Sequence, residues 1–563
     1  MKKFIWIFSF LVISLIVYNR FFYIDTQSPQ IILQTMTLRE KIGQLFMTSA
    51  ISYPAENPFD KVTIERLIKE YNIGGIMFFS GTPVSQIKIS NYYQSISKIP
   101  LLYAQDCEWG PSMRLINVIK FPKNFTLGAL RDNSLIYKMG MEIGRQCKLL
   151  GVKLNFAPDV DVNNNPQNPV IGIRSFGEDP IVVVAKAYEY IQGMLQYGVM
   201  ACIKHFPGHG NVVLDSHLDL PTVFSSYNEI QNMELYTFRE LFKKNVFSVM
   251  TAHLHIPALD SNSNLPTSLS PLIVTDLLQN QMGFKGLIIT DGLRMGGIRK
   301  TFNAGETAVR AFLAGNDILL FCDLLNRFGE PPHLDENIAD IKQGVDAIEV
   351  AVKNGTIAES EIDRRVLKIL SAKQSIGLFK NRFVDENIRP EEFYSQGAMK
   401  LKQDIFDNAV TLVKNENQML PFIAAKDNLV AFISLGLKPG SESILFKNLN
   451  EKMVLSDVRN SDTVIVALYG LNNIFTDNFG VREEVSKFIE SLHRENKKVI
   501  LILFGIPYAL KFFGKEDAIL VAYEQEVEAE IAAAKVIFGE IAPKGKLPVT
   551  ASKEFGMGIG LSF

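Results

Sequence analysis

Cysteine is scarce in this chain of 563 residues: Cys107, Cys147, Cys202 and Cys322 are the only four, and no two stand in a C-x-x-C spacing. That argues against a structural zinc site. Cys202 and Cys322 fall in or beside apolar strand-like runs, where buried free thiols are the common outcome. Charge of one sign is also lacking. With 58 Lys and Arg against 60 Asp and Glu the net charge is −2, and no basic run suggests nucleic acid. There is no acidic tail, low-complexity segment or short-period repeat. Histidine numbers only seven, yet His205, His209, His217, His253 and His255 crowd into one stretch. Histidine titrates near neutrality, so proton transfer and metal ligation are its two obvious uses.

Long hydrophobic runs are missing as well. The longest candidate, Phe4 to Tyr18 behind Lys2-Lys3, is broken by Asn19-Arg20. It is shorter than the ~18 residues of a free-standing span, although Phe21-Phe22-Tyr23 extend it. A charged start and an apolar core read as an export signal. No small-x-small cleavage site follows, so residues 1–24 are expected to stay as an anchor. The bulk of the chain then lies outside the cytoplasm, on the inner membrane facing the periplasm or exterior, with secretion after cleavage as the alternative.

What is present is a rhythm. Apolar runs at Ile42–Met47, Ile73–Phe79, Leu101–Ala104, Val152–Ala157, Met200–Ile203, Ser248–Ala252, Leu287–Ile289 and Asp317–Phe321 alternate with amphipathic stretches such as Leu135–Leu150, Ile181–Tyr197 and Glu306–Ala314. Eight buried strands separated by helices predict an α/β fold, a (β/α)8 barrel, at about 35–385. Four further runs, Asn428–Leu435, Thr463–Leu468, Lys498–Phe504 and Ala518–Tyr523, predict a smaller α/β sandwich domain with a parallel or mixed sheet at about 400–563.

Polar residues follow the strand ends. Asp106 comes after the third run, Asp159 and Asp161 after the fourth, Lys204-His205 after the fifth, His253 after the sixth and Asp291 after the seventh. Barrel enzymes build active sites at that end. A carboxylate such as Asp291 can serve as nucleophile, base or metal ligand. Retaining glycoside hydrolysis needs a carboxylate nucleophile with an acid/base group ~5 Å away. His217 is a candidate partner, with Asp215 two residues earlier to fix its tautomer and stabilise its cation. Gly208 and Gly210 give this segment an adaptable loop suited to carrying that group. The histidine cluster also offers ligands to a divalent metal. Pro207 and Gly208 disfavour the helical i, i+4 face that such sites often use. Glycosidase and metal hydrolase both stand on this reading.

Three motifs narrow it. Lys204-His205-Phe206-Pro207-Gly208-His209-Gly210, then Asp215-Ser216-His217, then Ile288-Ile289-Thr290-Asp291-Gly292-Leu293-Arg294-Met295 resemble family 3 glycoside hydrolases. More narrowly they resemble the bacterial β-N-acetylglucosaminidases of the peptidoglycan-recycling type, with a β-glucosidase of the same family as the alternative. The likeness covers about 35–385 and reaches Gly539–Thr550, which is similar to the closing motif of the family's second domain. It implies Asp291 as nucleophile and His217 with Asp215 as the acid/base dyad. It implies Asp106 as the carboxylate holding sugar hydroxyls, and Arg114, Arg174, Lys204 and His205 as further sugar-binding positions, with Lys204 and Arg174 near enough to keep Asp291 ionised. It implies an oligosaccharide or peptidoglycan-fragment substrate, and neither cofactor nor metal. Trp109 and Pro111-Ser112-Met113 depart from the family pattern around Asp106, as does Asn211-Val212 after Gly210. These bear on substrate preference more than on catalysis, because the charged positions remain.

Overall fold

A computed structural model describes residues 28–52, 58–214, 219–262, 265–322, 334–422 and 429–563. The expected anchor at 1–24 lies outside the described residues, as do Asp215 and His217. Among the described residues no helix is long and apolar enough to cross a membrane.

The first half is a parallel eight-stranded sheet of β1 (Phe46–Ser52), β2 (Gly75–Gly81), β3 (Leu102–Gln105), β4 (Leu154–Asn155), β5 (Met200–Phe206), β6 (Ser248–Thr251), β7 (Leu287–Thr290) and β8 (Leu319–Phe321). Neighbours in sequence are neighbours in the sheet, and β8 pairs back onto β1. The parallel bridge between Ile289 and Ile318 brings β7 against β8 and all but closes the barrel. Alternation of side chains along each strand explains the apolar runs. Met200 and Cys202 of β5, Met250 of β6 and Leu287 and Ile289 of β7 share one apolar cluster. Their sequence neighbours Ala201, Ile203, Val249 and Ile288 belong to another, with side chains of the surrounding helices. Both faces of the sheet are therefore covered, as a parallel sheet requires.

The first strand sits later than the sequence suggests. Residues Leu38–Gln44 form a helix instead, because Thr37 and Glu40 make a reciprocal capping box at its start. The apolar residues Ile42 and Leu45 then belong to the helix end, and β1 begins at Phe46. The longer helices come close to the expected spans, at Ser134–Leu149, Pro180–Leu195 and Ala304–Ala314. The second of these starts at an Asp179 cap followed by Pro180, a pairing suited to a helix N-terminus.

Helices Leu334–Lys353, Glu359–Ser375 and Gln396–Ala409 lead to a second sheet. Its order is β10 (Val430–Leu435), β11 (Thr463–Leu468), β12 (Lys498–Leu503), β13 (Ala518–Val521) and β9 (Thr411–Asn415). The sheet is mixed: β9 runs antiparallel to β13 at one edge. Along β12, Ile500 and Ile502 enter one apolar cluster while Val499, Leu501 and Leu503 enter the other, so helices cover both faces. That second cluster is continuous with the barrel's helical layer through Phe125, Tyr508, Leu547 and Val549.

Polar ties reinforce this contact close to the barrel mouth. The Glu524 carboxylate accepts from the Lys123 backbone N–H at 2.8 Å and the Thr126 hydroxyl at 2.6 Å. Glu178 accepts from both the backbone N–H and the hydroxyl of Thr550. Asn124, on the same short helix as Thr126, donates to the Arg174 carbonyl at 2.6 Å.

Candidate active site

The strands deliver their polar residues to one end of the barrel, and a chain of buried ion pairs joins most of them. Lys204, near the end of β5 and 3% exposed, places Nζ 2.8 Å from Asp106 Oδ1 and 2.9 Å from Glu108 Oε1. Arg114 pairs with the other oxygen of Asp106 and stacks over the Phe79 ring at 3.9 Å. Arg174 donates to Glu108 through Nε and Nη2, the latter at 2.7 Å. Burial alone would raise both carboxyl pKa values. The Lys204 and Arg114 charges outweigh it at Asp106, which is held far below the usual carboxylate range. Arg174 and Lys204 do the same at Glu108, held at about 2. Burial disfavours the Lys204 cation in turn, but Asp106 and Glu108 more than offset this and raise its pKa. Asp106, Glu108 and Lys204 are therefore ionised at neutral pH.

Asp161 organises the glycine-rich turn beyond β5. Its carboxylate accepts from His205 Nδ1 at 2.7 Å, the His205 backbone N–H at 3.2 Å and the His209 backbone N–H at 2.6 Å. These bonds overcome the cost of burial and hold its pKa at about 2. Gly210 is needed here: a Cβ at this position would stand 1.8 Å from the Val162 carbonyl oxygen. Asp159, wholly buried, is pushed well above the usual carboxylate range, by desolvation first and by the Asp161 charge second. His209 is driven down to about 4 by burial and by neighbouring His205.

Asp291 stands at the end of β7, half-buried, with its backbone N–H on the Thr251 carbonyl and its Oδ1 accepting from the Gly292 N–H at 2.7 Å. His253 sets the turn that follows. Its Nε2 donates to the Gly292 carbonyl at 3.0 Å, and its Nδ1 lies 2.7 Å from the Ser268 hydroxyl. The buried Cys202 thiol is pushed up to about 12, chiefly by desolvation, and lies within electrostatic reach of Lys204, Asp106 and Asp291. None of the four cysteines is in a disulfide, and all are buried.

The structure thus gathers Asp106, Arg114, Arg174, Lys204 and His205 into one network and puts Asp291 two strands along the same rim. The Lys204 and Arg174 charges are directed at Asp106, Glu108 and Asp159, with Arg174 Nη2 3.5 Å from Asp159 Oδ2. Glu108 and Asp161 are central to the network, yet Glu108 did not stand out from sequence and Asp161 was marked only as a strand-end residue without a role. The signal was available: each follows a strand-end aspartate by two residues and so returns to the same side of the chain.

Asp159, Asp161 and His205 have potential ligand atoms within 4.8 Å of one another, the geometry a metal ion could use. The surrounding charge argues otherwise, since a cation there would meet the Arg174 guanidinium, and Asp161 already accepts three N–H donors. His253 has its ring nitrogens on Ser268 and Gly292, and His255 lies 3.4 Å from the Thr222 hydroxyl.

Residues 37–372 match the glycosyl hydrolase family 3 N-terminal domain and residues 410–557 its C-terminal domain. Beta-hexosaminidase A of Pseudoalteromonas piscicida is 26% identical over 545 residues, covering 87% of this chain and 91% of that protein. Beta-hexosaminidase LpqI of Mycobacterium tuberculosis is 30% identical over 345 residues, 60% of this chain and 82% of that one. A solved family 3 β-N-acetylglucosaminidase from Paenibacillus sp. str. FPU-7 superposes with a TM-score of 0.75 at 29% identity, covering 92% of this chain and 99% of that one.

Proposed function

Because the chain belongs to glycosyl hydrolase family 3 and is a glycoside hydrolase, we propose that it releases terminal, non-reducing β-linked N-acetylglucosamine with retention of configuration. Asp291 attacks the anomeric carbon and forms a glycosyl-enzyme. His217, paired with Asp215, protonates the leaving oxygen and then deprotonates water. Asp106, Arg114, Arg174, Lys204 and His205 hold the sugar. The substrate class is an N-acetylglucosamine-ended oligosaccharide such as a peptidoglycan fragment.

The observation that carries this reading is the buried Asp106–Lys204–Glu108–Arg174 chain on the rim that also holds Asp291. Ionised groups kept in place out of water suit the recognition of sugar hydroxyls, because they need little reorganisation as substrate enters. The half-buried Asp291 offers a carboxylate at the strand end where barrel chemistry occurs. The names of the similar proteins support the hexosaminidase specificity.

Turnover of an aryl β-N-acetylglucosaminide beside the aryl β-glucoside tests it. Hydrolysis of the former with β-N-acetylglucosamine as first product, unaffected by a chelator, is expected. Activity confined to the glucoside would overturn both the specificity and the dyad, and loss of turnover with chelator would revive the metal.

A further inference from the structure

Asp106, Glu108, Asp159 and Asp161 lie together at the barrel mouth, and three of the four have their charge answered. Asp106 has Lys204 and Arg114, Glu108 has Arg174 and Lys204, and Asp161 accepts three N–H donors. Asp159 differs. It is wholly buried, its Oδ1 accepts only the Asp161 backbone N–H at 3.0 Å, and its Oδ2 has no hydrogen-bond partner among the described residues. The donors nearest Oδ2 are engaged elsewhere. Arg174 Nη2, 3.5 Å away, bonds to Glu108 Oε1 at 2.7 Å, and His205 Nδ1, 3.9 Å away, bonds to Asp161 Oδ2 at 2.7 Å. The backbone that carries Asp159 is pinned to β5, because the Val160 N–H donates to the Lys204 carbonyl at 2.9 Å. A carboxylate so placed would be a stranded buried charge.

We propose that Asp159 stands in this site as the undissociated acid and is a positioning residue, its neutrality keeping Arg174 on Glu108 in the place from which it meets the sugar. The inference rests on the assignment of Arg174 as a sugar-binding position. Every charged group packed against Asp159 enters the balance. Burial first, then the Asp161 and Glu108 charges, push its pKa well above the usual carboxylate range, against the pull of Arg174 and Lys204. On ionisation the new carboxylate draws Arg174 Nη2 across the 3.5 Å gap and away from Glu108. It also repels Asp161, which holds His205 and the turn beyond β5. Sugar binding is therefore strong while Asp159 keeps its proton and weakens as pH rises through its pKa. A single ionisation limits the decline to about tenfold per pH unit. The loss levels off roughly 10–100-fold down, the worth of one charged hydrogen bond.

The full chain and D159N, which keeps the shape without the ionisation, test this in two ways. Infrared difference spectra of wild type against D159N at pH 7 are expected to show the carbonyl stretch of an undissociated carboxyl group in the wild type. Its absence overturns the proposal. Calorimetric Kd values for N-acetylglucosamine, measured from pH 6 to pH 9, are expected to rise with pH in the wild type and to stay level in D159N. Free sugar is used because its binding does not depend on the proton that the acid/base group delivers. Equal pH profiles in the two proteins overturn the positioning role. Glucose serves as the second probe: binding of glucose without N-acetylglucosamine refutes the hexosaminidase specificity alone, and the same comparison is then read with glucose. If D159N does not fold, labelling the aspartate carboxyl carbons with 13C shifts the wild-type band and identifies it as an aspartic acid, and a band that does not shift overturns the proposal.

Discussion

Replacing Lys204 with methionine keeps the aliphatic stem and deletes one charge from the centre of the rim. In the wild type that charge is shared by Asp106 at 2.8 Å and Glu108 at 2.9 Å. Without it Asp106 retains Arg114 and Glu108 retains Arg174, and two buried anions face each other across the space the cation filled. Breaking a buried pair in this way costs about 3–5 kcal/mol, mostly from the stranded charge. The pH dependence carries the diagnosis. In the wild type both carboxyl pKa values are depressed, Glu108 to about 2. The stability they contribute is therefore present above their unfolded values near 4 and is lost only as pH falls through the folded values. In K204M the same carboxyls titrate upward, and protonation relieves the repulsion. The stability gap between the two proteins, measured by denaturant titration, is expected to be widest near pH 7 and to shrink as pH falls toward 4. On the aryl N-acetylglucosaminide, kcat/KM should drop by roughly 10–100-fold, the worth of a charged hydrogen bond of about 1.5–3 kcal/mol. A gap independent of pH, or one that widened in acid, would refute the charge account of this rim.

Asp291→Ala should nearly abolish turnover of every aryl glycoside. His217→Ala should cost ~10²–10⁴-fold with poor leaving groups and much less with good ones, as general acid catalysis predicts; a constant factor across the series would remove His217 as the acid. Lys373 is fully buried on the helix Glu359–Ser375, with Nζ 2.8 Å from the Gln44 side-chain oxygen, and burial lowers its pKa to about 7. Because the unfolded chain holds this proton up to about pH 10, wild-type stability at this site rises from pH 7 toward 10. K373M should accordingly be most stabilising below pH 7, and thermal melts across that range check it. Full-length protein in cell fractions should follow the membrane, and recovery in the cytosolic fraction would contradict an anchoring role for residues 1–24.

Strands whose side chains are apolar toward both lumen and helices announce themselves as runs, and for that reason even the two-residue β4 was visible within Val152–Ala157. Thr463–Leu468 is predicted to the residue for the same cause, since all six side chains are buried. The displaced β1 shows a local signal outranking a regional one: the Thr37–Glu40 cap commits Ile42 to a helix although its neighbours read as strand. Strand β9 escaped because Thr411–Asn415 is a short edge with a polar end, its last two residues only half-buried. At the site, single charged residues at strand ends were legible because their position is set by the barrel. Their pairing was not, since which carboxylate meets Lys204 depends on loop paths that bring residues nearly a hundred positions apart to within a salt bridge.

The grip of the second domain on the loop before the rim has a consequence for how this enzyme can be cut or recombined. Glu524 holds Lys123 and Thr126, and Asn124 between them holds the carbonyl of Arg174, whose side chain reaches Glu108. A barrel excised near residue 385 would keep every strand and every charged group named here, yet it would lose the external clamp on Arg174 and bare Phe125 to water. A chimaera carrying another family member's second domain would have to import residues 120–126 together with 524–526, as two halves of one joint. Among the described residues of the sandwich domain, no buried set of titratable groups matches the one at the barrel rim. Its contribution is leverage: it fixes from outside a guanidinium that the barrel alone leaves on a loop.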